Sequence, residues 1–444
     1  MAISFPDMRV RRIALSLLDE YESAGKYVNL SLASHKTDGL SVQERGFLTA
    51  LLYTAVERKL TYDHLVGAIG KRAVSSVAPS TLNILRLGLC QLLHMRSVAD
   101  HAAVKLTVDL CTGKGERGFV NAILREAVRL RDENRLPLPP REKNLARALS
   151  VEYSFPLSTV KRFIALFGND GAEALMRRYN ESAYTDLSVN LLKTDRESLC
   201  ARLSESGYTA HPSAYSGIGV RVEGSVDPTR LYGFEEGLFF VQDEASAVCA
   251  EALGAGKGDR VLDLCACPGG KSFAVSILSG AGFVECRDIH DSKLSLITSG
   301  ADRLGLLGIT TLAHDASESL PEDEGKFDRI ICDVPCSGLG VMGKKPDLRY
   351  RSLEECAELP ALQLSILKAA ARALKPGGVL VYSTCTLLPE ENSEVVSRFL
   401  EECSGFSRLD FTVGGLSSEG GELTLLPHIH GTDGFFMAKI VKDI

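Results

Sequence analysis

Long apolar runs are missing from these 444 residues, and so is the apolar opening that marks a secretory leader. No run reaches the roughly 18 residues that a membrane-spanning helix needs. The first residues, MAISFPDMRVRR, offer nothing a signal peptide requires. The expectation is a soluble, cytosolic protein. Twelve cysteines are present, yet they fall into no spaced disulfide framework. No pair of C-x-x-C units offers a zinc site either. Reduced thiols in a reducing compartment follow. Internal repeats and low-complexity tracts are absent too. What remains is ordinary globular composition, 45% hydrophobic and 24% charged, in a chain long enough for two or three domains.

The net charge of -7 conceals an asymmetry. Residues 1–150 carry 22 Lys+Arg against 15 Asp+Glu, a balance of +7, and the remaining 294 carry 28 against 42, a balance of -14. A basic N-terminal third on an acidic body points to electrostatic docking of nucleic acid. An ordinary solvated surface would give the same count.

Residues 8–135 carry helical periodicity. Val10, Ile13, Ala14, Leu17 and Leu18 recur at helical spacing, and Ser41 with Glu44 forms a capping box before Phe47, Leu48, Leu51 and Leu52. Thr81–Met95 and Gly118–Leu130 continue the pattern, so an all-α bundle is expected. Arg135-Leu-Pro-Leu-Pro-Pro-Arg141 cannot continue a helix and suits a linker. Residues 144–232 mix helical stretches with short strands and predict a small α+β module. From about Leu238 strand, loop and helix alternate, the signature of a parallel sheet covered on both faces.

Such sheets bind ligands at the carboxyl ends of their strands. The strand Arg260-Val-Leu-Asp-Leu264 runs into Cys265-Ala266-Cys267-Pro268-Gly269-Gly270-Lys271, with a helix starting near Ser272. A glycine-bearing loop lets backbone approach a ligand, and a helix N-terminus favours negative charge. About 20 residues on, a second strand ends in Asp288, placed to accept hydrogen bonds from ribose hydroxyls. G-x-G-x-x-G is lacking, which argues against a dinucleotide pyrophosphate and for a nucleoside cofactor. A third strand, Phe327–Asp333, leads into Asp333-Val-Pro-Cys-Ser-Gly338, and a fourth, Gly378–Thr384, into Cys385. Cys249 and Cys332 read as inert core thiols. Cys336 and Cys385 differ because each lies just past a strand, in the expected crevice.

A thiol beside a nucleoside cofactor suits one reaction well. Carbon 5 of a pyrimidine is a poor nucleophile. Addition of a thiolate to carbon 6 turns the ring into an enamine that attacks a methyl sulfonium. The base must leave its stack and meet a hydrogen-bonding acid, for which Asp333 is placed. Lys344, Lys345, Arg349 and Arg351, with Tyr350 among them, follow this motif. They are expected either to hold backbone phosphates and stack a base or to form a solvated loop. His428 and His430 lack further ligands and are not assigned a metal.

These motifs resemble the RNA 5-methylcytosine methyltransferases of the Sun/Nop2 (Fmu) family. Cys265–Lys271 is similar to its C-A-A-P-G-G-K loop, with Cys267 in place of alanine. Asp333–Gly338 is similar to D-x-P-C-S-G, and Ser383-Thr-Cys-Thr386 with Leu388-Pro-Glu-Glu-Asn392 to its catalytic-cysteine motif. Gly237, Val241-Gln-Asp-Glu-Ala245 and Asp433-Gly-Phe-Phe436 agree as well. Phe119–Arg125 and Arg86–Leu89 resemble the NusB domain.

The resemblance implies a multidomain protein. An all-α NusB-like helical RNA-binding domain would span 1–135, a small α+β (RRM-like) domain 144–232, and an α/β Rossmann-like, S-adenosylmethionine-dependent methyltransferase domain 233–444. It implies Cys385 as nucleophile, Cys336 as the group that helps release product, and Asp333 beside them. It also implies that Cys265–Lys271, Asp288, Asp315 and Asp333 line the S-adenosylmethionine site. The architecture implies the bacterial 16S rRNA (cytosine(967)-C(5))-methyltransferase subgroup, RsmB-like, acting as a cytoplasmic monomer on small-subunit ribosomal RNA, with no membrane or DNA partner. A DNA cytosine methyltransferase would carry a long target-recognition insert, which is lacking. A small-molecule methyltransferase needs no helical domain. The intact Asp333, Cys336 and Cys385 argue against an inactive RNA-binding scaffold.

Overall fold

The computed structural model describes residues 8–24, 39–181 and 184–444. Residues 1–7 and 25–38 of the expected helical domain, and 182–183 of the expected α+β module, lie outside the described residues. The chain divides into two compact units, Met1–Asn180 with Lys345–Arg351, and Glu181–Lys344 with Ser352–Ile444.

The first unit is helical, as its periodicity requires. Ser41 caps Val42–Glu57: its Oγ accepts the Glu44 amide at 3.2 Å, and Glu44 Oε2 accepts the Ser41 amide at 2.7 Å. Pro79–His94 is apolar almost all round and accordingly runs through the middle, with every residue from Leu82 to Leu92 buried. Gly88 lets Lys114–Asp132 close on it; a Cβ there would meet Leu124 at 2.7 Å. Arg86 is buried in this core and satisfied by Asp63, which accepts from it at 2.7 Å.

The proline-rich linker is irregular as expected, but no boundary between compact units falls there. Leu145–Tyr153 and Leu157–Tyr179 pack with the N-terminal helices instead. Hydrogen bonds explain why. From the helix Lys59–Gly70 and the residues starting it, the Leu60 amide donates to Ser154 Oγ at 3.0 Å, Thr61 Oγ1 to Val151 O at 2.5 Å, and His64 Nε2 lies 2.8 Å from Pro137 O. One linker carbonyl and the end of the next helix are thus tied to the bundle.

The second unit holds two main sheets. The smaller has β1 (Thr185–Val189), β2 (Ala210–Pro212), β3 (Gly219–Val222) and β4 (Phe239–Val241) in the order β2-β3-β1-β4, all antiparallel. Leu187, Val189, Val220 and Val222 face Leu199 and Leu203 of the helix Arg196–Glu205 to make its core. The strands of the expected α+β module are therefore here, while its first two helices belong to the other unit.

The larger sheet has β5 (Val261–Asp263), β6 (Val284–Asp288), β7 (Ile309–Ala313), β8 (Phe327–Asp333) and β9 (Leu374–Thr384) in parallel. A minor hairpin, β11 (Thr412–Val413) with β12 (Leu416–Ser417), stands apart. β10 (Phe406–Arg408), β13 (Glu422–Leu425) and β14 (Phe435–Lys442) complete the large sheet in the order β10-β14-β9-β8-β5-β6-β7, with β13 beside β14. β14 runs antiparallel to β9, so the sheet is mixed rather than purely parallel. Alternation along the strands fills both faces. Val261, Ile331 and Val381 point to one core with Glu244–Leu253, Gly270–Leu278 and Asp291–Leu304. Leu262, Ile330 and Leu380 point to the other, with Leu359–Ala373 and Ser393–Glu402. Strand order reverses between β5 and β8, and that is where such folds open a ligand crevice.

Candidate active site

The two thiols singled out in the sequence meet at this crevice. Parallel pairing puts Asp333 beside Ser383, so the loops leaving β8 and β9 start side by side. Cys336 Sγ and Cys385 Sγ end 3.3 Å apart, 49 residues apart in sequence. The loops are locked by backbone: the Gly340 amide donates to Cys385 O at 2.9 Å, and the Gly434 amide to Gly340 O at 2.9 Å. A Cβ on Gly340 would lie 1.9 Å from Gly434 O, so glycine alone permits this approach. Thr384 Oγ1 donates to Asn392 Oδ1 at 2.6 Å, and Asn392 Nδ2 donates to Thr386 O at 3.1 Å, clamping the turn that carries Cys385.

Asp333 sits beside the pair as an acceptor. Its Oδ1 receives Ser383 Oγ at 2.9 Å and its Oδ2 receives Lys271 Nζ at 2.6 Å. Burial works against the lysine charge, but the Asp333 carboxylate outweighs it and holds Lys271 above the usual lysine range. The glycine loop and the third strand end, separate motifs in the sequence, are thus one ion pair. Cys336 is held well above the usual thiol range, first by its hydrogen bond to Cys385 and then by burial and neighbouring carboxylates.

Around β5 and β6 the residues fit a nucleoside ligand. Gly269 takes φ +109, and a Cβ there would come within 2.5 Å of the Phe273 ring. Among the described residues no side chain caps the helix Gly270–Leu278, so its first amides are open to a negatively charged group. Asp288 closes β6, with Oδ1 accepting the His290 amide at 2.9 Å. Asp315 follows β7; its hydrogen bonds from the Ser317 hydroxyl and amide hold it below the usual carboxylate range. In the loop itself burial pushes the Cys265 thiol up, and the Cys267 thiol up to about 11. Cys267 Sγ lies 3.2 Å from Lys293 O. These loop thiols are therefore poor nucleophiles. Cys249 and Cys332 are buried and pushed up likewise.

Two carboxylates at the site were not singled out from sequence. Asp263 ends β5 fully buried, with Oδ2 accepting Ser272 Oγ at 2.6 Å and Oδ1 without a hydrogen-bond partner among the described residues; burial pushes it up to about 6. An acid inside Val-Leu-Asp-Leu was the available signal. Glu391, inside the Leu388–Asn392 motif, accepts the Ser337 amide at 2.9 Å.

Within the basic stretch after Cys336, Lys345 is exposed, but Lys344, Arg349 and Tyr350 turn to protein groups. Arg349 is 0% exposed; it donates to Asn180 Oδ1 at 2.6 Å and to Tyr179 O at 3.0 Å, and covers the Phe155 ring. Tyr350 OH donates to Val56 O at 2.7 Å. Lys344 donates to Asp243 at 2.6 Å and lies 3.2 Å from Asp433 and 3.5 Å from Asp186. These side chains satisfy protein groups, so neither a phosphate-holding loop nor a solvated one describes them.

Three family descriptions match the chain: 16S rRNA methyltransferase RsmB/F over residues 250–441, the NusB family over 8–129, and an RsmF/B-like ferredoxin-like domain over 155–229. The chain is 35% identical to a probable ribosomal RNA small subunit methyltransferase B of Bacillus subtilis, over 98% of both chains. It is 31% identical to a ribosomal RNA small subunit methyltransferase B of Pseudomonas putida, over 98% of this chain and 99% of the other. Among solved structures, that of PH0851 superposes with a TM-score of 0.78 at 25% identity, covering 99% of this chain and 100% of the other. NSun6 from Pyrococcus horikoshii with SFG gives 0.59 at 25% identity, covering 65% and 99%.

Proposed function

The chain belongs to the ribosomal RNA small subunit methyltransferase B family, and from that premise we propose that it methylates carbon 5 of a cytosine in 16S rRNA, at position 967. The observation that carries this reading is the Cys336–Cys385 pair, 3.3 Å apart, beside the Asp333–Lys271 ion pair at the strand-order reversal. Its methyl donor is S-adenosylmethionine, which supplies an electrophilic methyl on a sulfonium. The open amides at Gly270 and the carboxylates Asp288 and Asp315 suit its carboxylate, ribose and adenine in turn.

Cys385 is the nucleophile. Its thiolate adds to carbon 6, and the ring electrons move toward carbon 5. Lys271 and Asp333 engage the polar edge of the ring, the ammonium donating and the carboxylate accepting from the exocyclic amine. Carbon 5 bonds the methyl as the methyl–sulfonium bond breaks. Loss of the carbon 5 proton to solvent then restores the ring double bond and expels Cys385. Cys336, within hydrogen-bond reach of that sulfur, donates to the departing thiolate and so speeds release. The helical unit binds RNA through its basic excess, and the protein works in the cytoplasm as a monomer without DNA.

Purified protein incubated with labelled S-adenosylmethionine and a 16S rRNA transcript tests the reading. Label in 5-methylcytosine is expected. Label in another nucleoside contradicts it, and transfer only to a different RNA supports 5-cytosine methylation with another substrate.

A further inference from the structure

Cys336 is pinned from both sides by one buried group. Glu391 Oε2 accepts the Ser337 amide at 2.9 Å and Gln363 Nε2 at 2.9 Å, and the same Gln363 amide donates to Pro335 O at 3.0 Å. Glu391 is 1% exposed, and its Oε1 has no hydrogen-bond partner among the described residues. Both groups on Oε2 are N–H donors, so that oxygen is held as an acceptor. Among the described residues no lysine, arginine or histidine pairs with it. The other carboxylate facing Cys336, Asp333, is balanced by Lys271 at 2.6 Å. Tyr382, another titratable group near Cys336, donates to Glu391 O at 2.5 Å and is held in its neutral form by burial. Glu391 is therefore the acidic side chain beside Cys336 that no cation balances among the described residues.

We propose that Glu391 is a positioning residue that assigns the proton shared by the two thiols, keeping it on Cys336 and leaving the thiolate on Cys385. Two sulfurs 3.3 Å apart share one proton once the pair has lost the other. A buried carboxylate beside Cys336 raises the energy of charge there more than on the far sulfur. The upward push that Glu391 exerts on Cys336 agrees with this. Cys385 becomes the attacking sulfur, and Cys336 the donor that later eases its departure. The assignment rests on the proposed covalent route, and it supplies the physical reason for the two roles.

The test reads the thiols without RNA. Folded full-length protein is treated briefly with iodoacetamide across a pH series. The thiolate displaces iodide to form a thioether, and mass spectrometry measures alkylation at each position. In the wild type Cys385 is expected to react about tenfold faster than Cys336 near neutral pH, because the thiolate is the form that is alkylated. Glu391→Gln keeps the shape and removes the charge, so the ratio should fall toward parity. Gln363→Leu removes hydrogen bonds but leaves the charge, and should keep the wild-type order. Faster wild-type labelling of Cys336 overturns the assignment, and needs no variant that must fold. So does an unchanged ratio in Glu391→Gln, or an equal change in Gln363→Leu. Failure of methyl transfer with the labelling order intact counts against the function and supports the proton assignment.

Discussion

Cys336 and Cys385 are both half-buried at strand ends, and the proposed roles differ through their neighbours. Cys385→Ala is expected to abolish transfer and trap no RNA. Cys336→Ala removes the donor that eases departure and should accumulate a covalent protein–RNA complex, seen as a shifted band on denaturing gels. A band from Cys385→Ala with none from Cys336→Ala would reverse the roles. Asp263 gives a pH prediction. Its carboxyl is raised by burial from the usual 3.8 to about 6, so its ionisation destabilises the fold as pH rises through that window, and protonation relieves the cost. Asp263→Asn should therefore gain stability relative to wild type between pH 4 and pH 7, by about 3 kcal/mol at most. Urea melts at the two pH values measure it; a gap independent of pH would mean that Asp263 is not held in this way.

At the scale of elements, the strand ends were the most legible feature. Short apolar strands, each closing on a polar loop, were enough to place Cys336, Cys385, Asp288 and Asp333 at one crevice, and Ser41 with Glu44 named its cap correctly. One reading went astray because charge in a sequence carries no burial. Lys344 and Arg349 looked like surface cations until the fold supplied their acceptors. Composition marks the proline segment as a break, and it does not show the hydrogen bonds from Thr61 and His64 that tie the segment and the next helix to the bundle. The Lys344 cluster carries its own prediction. Burial raises Asp186 to about 6 and Asp433 to about 8 even with the lysine present, while Lys344 outweighs burial at Asp243 and holds it down to about 2. Lys344→Met strands these carboxylates and should cost about 3–5 kcal/mol near neutral pH. Because the raised carboxyls lose stability as pH rises and regain it on protonation, the loss should shrink toward pH 5. Thermal melts that show equal loss at both pH values would contradict the account.

For the whole molecule, the asymmetry of charge predicts where RNA gains affinity. In the helical unit a groove between Asp100–Val108 and Lys114–Asp132 carries Lys105, Arg125 and Arg129. Arg129 is already held between Glu126 and Glu133, which leaves Lys105 and Arg125 as the residues to change. Lys105→Glu with Arg125→Glu should weaken RNA binding and lower the slope of log affinity on log salt by about 0.7 for each phosphate no longer neutralised. Equal binding at every salt concentration would give this unit another task. The central claim, that this chain methylates a cytosine of 16S rRNA through Cys385, is tested most directly by bisulfite sequencing of 16S rRNA from a deletion strain. Complementation is with the wild-type gene or with Cys385→Ala. The account predicts one 5-methylcytosine, at position 967, lost on deletion, restored by the wild type and not by Cys385→Ala. Persistence of that mark in the deletion strain, or its restoration by Cys385→Ala, would contradict it.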